Sequence, residues 1–277
     1  THKSCYLSVV IPAYNEEENF KTGALNKVAK FLATKRFSWE VILVDDGSKD
    51  KTYSLLQKFS RTHKGFRAIS IPHGGKVKAV TAGVIAARGE IVLFTDFDQS
   101  TPMDTVDKFL VQFKKGADIV IADRYRKGAK RLNDSFASLV RSKIFNWAVQ
   151  FFILKGVGDT QCGFKAFRTE VAKRLFGSLQ VYKTSETKKP FMGAFDAELL
   201  FLAKRDGFKI VSVPVIWRRE VSKRLTLSEP IRMFFDVLKM RGLDILGRYG
   251  ESGPSFGTHG FVDVIAPIAA IVVFTFP

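Results

Sequence analysis

Residues 40–52 read EVILVDDGSKDKT: an apolar run of β-forming residues, two aspartates, a Gly-Ser turn and the start of a helical pattern. A short run that is apolar throughout suits a strand buried on both faces, which is the habit of parallel sheets. Working outward, the same grammar recurs in LSVVI at 7–11, RAISI at 67–71, EIVLFTD at 90–96 and ADIVIAD at 117–123. Between the runs lie NEEENFKTGALNKVAKFLATKR, DKTYSLLQKFSRTHK and KVKAVTAGVIAARG, each with apolar residues near helical spacing and a glycine or basic end. The alternation predicts an α/β, doubly wound, mostly parallel sheet flanked by helices. Ligands of such sheets bind beyond the carboxyl ends of the strands. Tyr14, Asn15 and Glu16 follow the first run, Asp45 and Asp46 close the second, and Asp96 and Asp98 close the fourth, so all three groups are expected to face one crevice.

The chain has 277 residues, 46% of them apolar, which supplies a real core and excludes a mainly disordered protein. Against 27 acidic residues stand 44 Lys and Arg, a net charge of +17 that favours a polyanionic partner. Basic residues interleaved with aromatics on one face, or a nucleic-acid module, are not found, so no nucleic-acid partner is expected and a phospholipid surface or phosphorylated substrate is preferred. Cys5 and Cys162 lie far apart without metal-ligand spacing, which argues against a zinc site or a disulfide framework and fits a reducing, cytoplasmic setting.

The sequence starts at Thr1 without a signal-peptide pattern, as a trimmed chain or fragment would. FVDVIAPIAAIVVFTF at 261–276 is shorter than the roughly 20 residues of a spanning helix and holds Asp263 and Pro267. It reads as a transmembrane segment cut off partway; the alternatives are a C-terminal strand or a core helix. Leu132 to Lys155 reads as a helix whose second half is apolar all round, buried or lying in a lipid interface with Arg141 and Lys143 toward head groups. Polar 181–193, VYKTSETKKPFMG, suits a mobile loop over a site. EPIRMFFDVLKMRGLDILGRYG mixes Arg232, Lys239, Arg241 and Arg248 with Phe234, Phe235, Leu238 and Leu243, as either a membrane-surface helix or one packed on the core.

FTDFDQS carries the chemistry. At a strand end, positions i and i+2 share a side, so Asp96 and Asp98 are expected to converge on Mg²⁺ or Mn²⁺ and neutralise a pyrophosphate leaving group. A bare D-x-D is common by chance and gains force only from context. Asp50 and Ser48 suit capping of the next helix. Asp45, ending a buried strand, needs a donor, which a base N–H or ribose hydroxyl supplies. In HGGKVKAVTAG, Gly74 and Gly75 allow a tight turn and Lys76 reaches a phosphate.

VVIPAYNEE, VDDGSKDKT, GGK with a following Ala-x-x-x-Gly, and a D-x-D after a strand resemble, in order, the motifs of the inverting family-two glycosyltransferases of GT-A fold. DTQCGFKAF at 159–167, FDAELLFLA at 195–203 and PVIWRREVSKRL at 214–225 narrow the resemblance to dolichyl-phosphate β-glucosyltransferases and, slightly less closely, dolichyl-phosphate mannose synthases, over residues 7 to about 248. The resemblance implies that Pro12, Tyr14, Glu16 and Asp45 hold base and ribose, and that Asp96 and Asp98, with Gln99 nearby, hold the metal. It implies Lys76 and Arg124 at the phosphates, and Ser142 near the acceptor phosphate. It implies a membrane-associated enzyme whose active site faces the cytoplasm, moving a hexose from a nucleotide-sugar donor to a polyprenyl phosphate. UDP-glucose is the favoured donor; GDP-mannose, transfer to a polysaccharide, and an idle membrane-binding scaffold are the alternatives.

Residues 1–228 are then the catalytic domain, 229–250 an amphipathic juxtamembrane helix, and 251–277 a linker with the start of a transmembrane region. Two departures stand out: the family's Asn-x-Gly-Lys-Gly is His73-Gly74-Gly75-Lys76-Val77, and the loop before Phe195 is longer than in eukaryotic glucosyl enzymes. A lipid phosphate, with a second pKa near ~6, is already a nucleophile at neutral pH. The protein's task is then positioning and charge stabilisation by the metal, Lys76, and basic residues such as Arg124, Arg131 and Arg141, with Lys223 a flexible phosphate contact. Asp196 reads as a helix cap in preference to a base, with Glu198 in the first turn. His63, His73 and His259 receive no role.

Overall fold

The computed structural model describes residues 5–182, 194–219 and 228–250. In chain order the elements begin β1 (Leu7–Ala13), α1 (Glu17–Phe20), α2 (Ala24–Ala33), β2 (Trp39–Asp45), α3 (Thr52–Thr62), β3 (Phe66–Ser70), α4 (Lys76–Ala86) and β4 (Ile91–Thr95). They continue α5 (Thr105–Lys114), β5 (Ile119–Asp123), β6 (Lys130–Leu132), α6 (Phe136–Phe152), β7 (Phe164–Arg168) and α7 (Thr169–Gly177). Last come α8 (Phe195–Arg205), β8 (Ile210–Pro214), β9 (Ile216–Arg218) and α9 (Ser228–Ile245).

The predicted runs are all strands of one seven-stranded sheet, in the order β3-β2-β1-β4-β7-β5-β8. β1 pairs in parallel with β2 on one side and β4 on the other, so the strand order reverses at β1 and a crevice opens beyond its carboxyl end. β7 is the exception to the parallel pattern. It runs antiparallel between β4 and β5. Short parallel β6 and β9 form a separate pair.

Alternating side chains feed two cores. Val9 and Ile11 of β1 join Leu25, Val28 and Leu32 of α2 and Val106, Phe109 and Phe113 of α5 on one face. Val10 joins Val80 and Val84 of α4, Leu175 of α7 and Phe201 of α8 on the other. Inward residues three, four and seven apart explain why these helices form where they do. β2 and β4 are buried on both faces and therefore read as continuous apolar runs.

The helix expected from Leu132 begins later, at Phe136. Ser135 accepts a hydrogen bond from the Ser138 N–H and caps it, while Leu132 pairs in β6. α9 packs Met233, Val237 and Met240 into the core beside α6 and α8. Among the described residues, no helix is long and apolar enough to cross a membrane. The segment at 261–276, most of the loop at 181–193, Lys223 and His259 lie outside the described residues.

Candidate active site

β4 delivers Asp96 and Asp98 to the mouth of the crevice, and Lys76 enters from the first residue of α4. Lys76 Nζ meets Asp96 Oδ1 at 2.5 Å. Burial works to lower the Lys76 pKa, but the charges of Asp96, Asp196 and Asp98 outweigh it and hold it above the ordinary value. One ammonium thus lies in the field of three carboxylates.

Asp98 Oδ1 accepts from the Ser100 N–H and hydroxyl, each at 2.9 Å. Its carboxyl is nonetheless pushed up, by burial first and then by the charge of Asp96, against the opposing pull of Ser100 and Lys76. Gln99 sits in the left-handed region (φ 55°) and donates from Nε2 to the Asp96 carbonyl at 2.7 Å. Its Oε1 is buried with no partner among the described residues. Crowded carboxylates beside an unpartnered oxygen fit a hard divalent cation. Among the described residues, no group of three or more His, Cys, Asp or Glu is placed to hold a metal ion by itself. Gly163 backs this site: a Cβ there would come within 2.0 Å of Asp96 Oδ2.

The neighbouring strand ends hold themselves together through polar contacts. Asp45, buried, accepts from the Ser70 hydroxyl at 2.9 Å and the Ser48 N–H at 3.3 Å, so its need for a donor is already met within the chain. Asp46 takes the Gly74 and Gly75 N–H groups at 2.8 and 2.9 Å. Gly75 has φ +86°, a conformation that favours glycine. The departure at Val77 has a structural reason: its side chain is buried in the core under α4. Half-buried Tyr14 stacks on His73 at 4.2 Å, and His73 Nδ1 lies 2.9 Å from Asp46. Pro12 and Glu16 are half-buried on the same strand end, and the Glu16 N–H donates to Thr52 Oγ1. Lys51, not Asp50, holds the cap position of α3; Asp50, one residue earlier, accepts from the N–H groups of Thr52 and Glu17 and tethers the loop after β1 to the start of the helix.

The stretch 8–176 matches the family model Glycosyl transferase family 2. The chain belongs to that family. This glycosyltransferase is similar to the dolichyl-phosphate beta-glucosyltransferase of Dictyostelium discoideum, at 33% identity over 87% of this chain and 76% of that protein. It is also similar to the Homo sapiens protein of the same name, at 32% identity over 85% and 74%. The fold resembles Staphylococcus aureus TarS 1-349 in complex with UDP-GlcNAc, with 20% identity, 98% of this chain and 73% of that one covered, and TM-score 0.58. The sheet, its flanking helices and its switch point are those of the GT-A fold.

Beyond β5 of this glycosyltransferase, Arg124 is engaged within the chain. Its guanidinium forms a fork to Asp159, Nε to Oδ2 at 2.7 Å and Nη2 to Oδ1 at 2.9 Å, both side chains buried. Burial lowers the Arg124 pKa, but the Asp159 charge overrides it and holds it above the usual range. Two edges of the Arg124 guanidinium, Nε and Nη2, are thus engaged by a carboxylate within the chain. Arg131 pairs with Asp134 through Nε at 2.7 Å, while its Nη1 is buried with no partner among the described residues. Both guanidinium groups lie against Trp217 and Tyr125. The Tyr125 hydroxyl donates to Ser142 Oγ at 2.6 Å, so Arg124, Arg131 and Ser142 are brought together around one ring, while Arg141 points from α6 into solvent.

Asp196 is not a helix cap. Ala194 holds the cap position, and Asp196 sits in the first turn, accepting from buried Lys165 Nζ at 2.8 Å. Glu198 accepts from the Gln180 and Val181 N–H groups and the Tyr249 hydroxyl. In the sequence, Gly163, Lys165 and Asp159 are only letters of DTQCGFKAF. Their roles depend on side chains that meet across strands, which spacing does not reveal.

Proposed function

We propose that this glycosyltransferase moves glucose from UDP-glucose to a dolichyl or other polyprenyl phosphate at the cytoplasmic face of a membrane, with Mg²⁺ or Mn²⁺ as cofactor. Relatives bearing that activity in their names support the sugar and the acceptor. The observation that carries the reading is Asp196. A hydroxyl acceptor needs a carboxylate base, and this carboxylate is occupied by Lys165. An acceptor that arrives ionised needs no base.

A phosphate oxygen of the lipid attacks the anomeric carbon in line, a new C–O bond forms, the bond to UDP breaks, and the configuration inverts. Asp96 and Asp98, with Gln99 Oε1 beside them, would hold a divalent cation, whose charge would offset that developing on the departing diphosphate. Lys76 adds a fixed ammonium in the same place. Tyr14, Pro12 and Glu16 form the base and ribose side, with Asp45 at the end of β2 tied to Ser70 and Ser48, and Arg131 Nη1 is a donor for the acceptor phosphate.

Asp98→Ala is expected to reduce metal-dependent UDP release by about 10²- to 10³-fold while the unfolding temperature stays near that of the wild type. Full activity of a folded Asp98→Ala enzyme refutes the assignment. UDP with Mn²⁺ should raise the unfolding temperature more than GDP does, because only the ligand bound by the native state stabilises it. The reverse order moves the donor to a guanosine nucleotide.

A further inference from the structure

α6 turns an apolar stripe away from the core. Phe136, Val140, Ile144, Trp147 and Phe151, spaced four, four, three and four apart, occupy one face of the helix, with Phe136 80%, Trp147 64% and Phe151 53% exposed. Trp147 and Phe151 stack on each other at 5.5 Å. Beside the stripe a cavity of about 620 Å³ is lined by Tyr125, Lys143, Asn146, Trp147, Phe151 and Lys155. Lys143 and Lys155 make no ion pair among the described residues.

Asn146 is 4% exposed, and its amide orientation is set by chemistry: Oδ1 accepts from the Thr160 N–H and hydroxyl, and an N–H can only donate. Nδ2 is left buried with no partner among the described residues. A buried donor without an acceptor is costly, so a cavity that pairs one with two lysines is complementary to an anion. The aromatic stripe alongside calls for a hydrophobic phase rather than water.

We propose that this cavity seats the phosphate head group of an anionic phospholipid, with the α6 stripe in the acyl boundary of the same bilayer. The head-group site adjoins the acceptor phosphate contacts and shares Tyr125 with them: Arg131 and Ser142 meet that ring, while Lys143, Asn146 and Lys155 line the cavity. Lys143 and Lys155 reach the phosphate along apolar stems, Asn146 Nδ2 donates to one of its oxygens, and Trp147 lies at the head-group level. The chain's charge of +17 acts in the same direction. This inference rests on the membrane reading above and adds to it a lipid class and a seat.

The test is co-sedimentation with phosphatidylcholine vesicles, with and without phosphatidylglycerol, alongside transfer to a short-chain, water-soluble polyprenyl phosphate. The wild type should bind the anionic vesicles at least about tenfold more tightly, with binding that weakens as salt rises. K143E/K155E and Asn146→Asp, which keeps the Oδ1 contacts and replaces the donor, should each lose that preference while transfer to the soluble acceptor stays at the wild-type level. Equal binding to both vesicle types, or unchanged binding by both variants, overturns the proposal. So does light scattering that shows the stripe buried in a dimer dissociated by Phe151→Glu. Loss of transfer with vesicle preference intact refutes the catalytic reading and leaves the head-group site standing.

Discussion

Gly163 shows how closely a single residue can govern the site. No turn or positive φ requires glycine there; what requires it is Asp96, whose carboxylate occupies the space of a Cβ. Gly163→Ala is expected to push Asp96 off its position, lower donor turnover by about 10²-fold through misplacement of a charged group, and leave unfolding within about 1 kcal/mol of the wild type, because the displaced atoms end a half-exposed side chain. Steady-state UDP release together with urea unfolding checks both halves. Asp96 and Asp98 were legible in the sequence because a strand end and an i, i+2 spacing suffice to place them. The partners of Asp45, Arg124 and Asp196 were not, because Ser70, Asp159 and Lys165 lie 25, 35 and 31 positions away in the chain.

Among the elements, β7 escaped the sequence reading. FKAFR carries two charges in five residues and so looks like neither a buried strand nor an amphipathic one. Its insertion between β4 and β5 buries Lys165 completely, and that side chain is held by the Cys162 carbonyl at 2.5 Å and Asp196 at 2.8 Å. Breaking a buried pair from one side costs more than replacing both partners. Lys165→Met should therefore destabilise the fold by about 3–5 kcal/mol in chemical denaturation, and adding Asp196→Asn should recover part of the loss. If the double variant is no more stable than the single one, the two side chains are not coupled.

At the scale of the molecule, two buried carboxylates oppose each other in their response to pH. Burial raises the Asp159 pKa, but the Arg124 charge and hydrogen bonds prevail and hold it below the ordinary value. Its contribution is present above the unfolded carboxylate range, near about pH 4, and is lost as pH falls through the lowered pKa. The stability gap between wild type and Asp159→Asn should narrow in acid. Glu198 goes the other way: burial lifts its pKa despite the Gln180, Val181 and Tyr249 hydrogen bonds. Its contribution is present below the ordinary value and is lost as pH rises through the raised one. Glu198→Gln should gain on the wild type as pH climbs from about 4. Thermal unfolding across pH reads both slopes, and parallel curves for either variant refute its assignment.

The sequence by itself determined the doubly wound sheet, the crevice at its strand ends, and the carboxylates and lysine that line it. Those features follow from periodicity and strand-end geometry, which are local. Only the tertiary structure decided that Arg124 belongs to Asp159, that Asp196 is tied to Lys165, and that one face of α6 is left uncovered by the described residues. Each of these depends on which distant side chain fills the facing space, and packing settles that only when the sheet and its helices close around it.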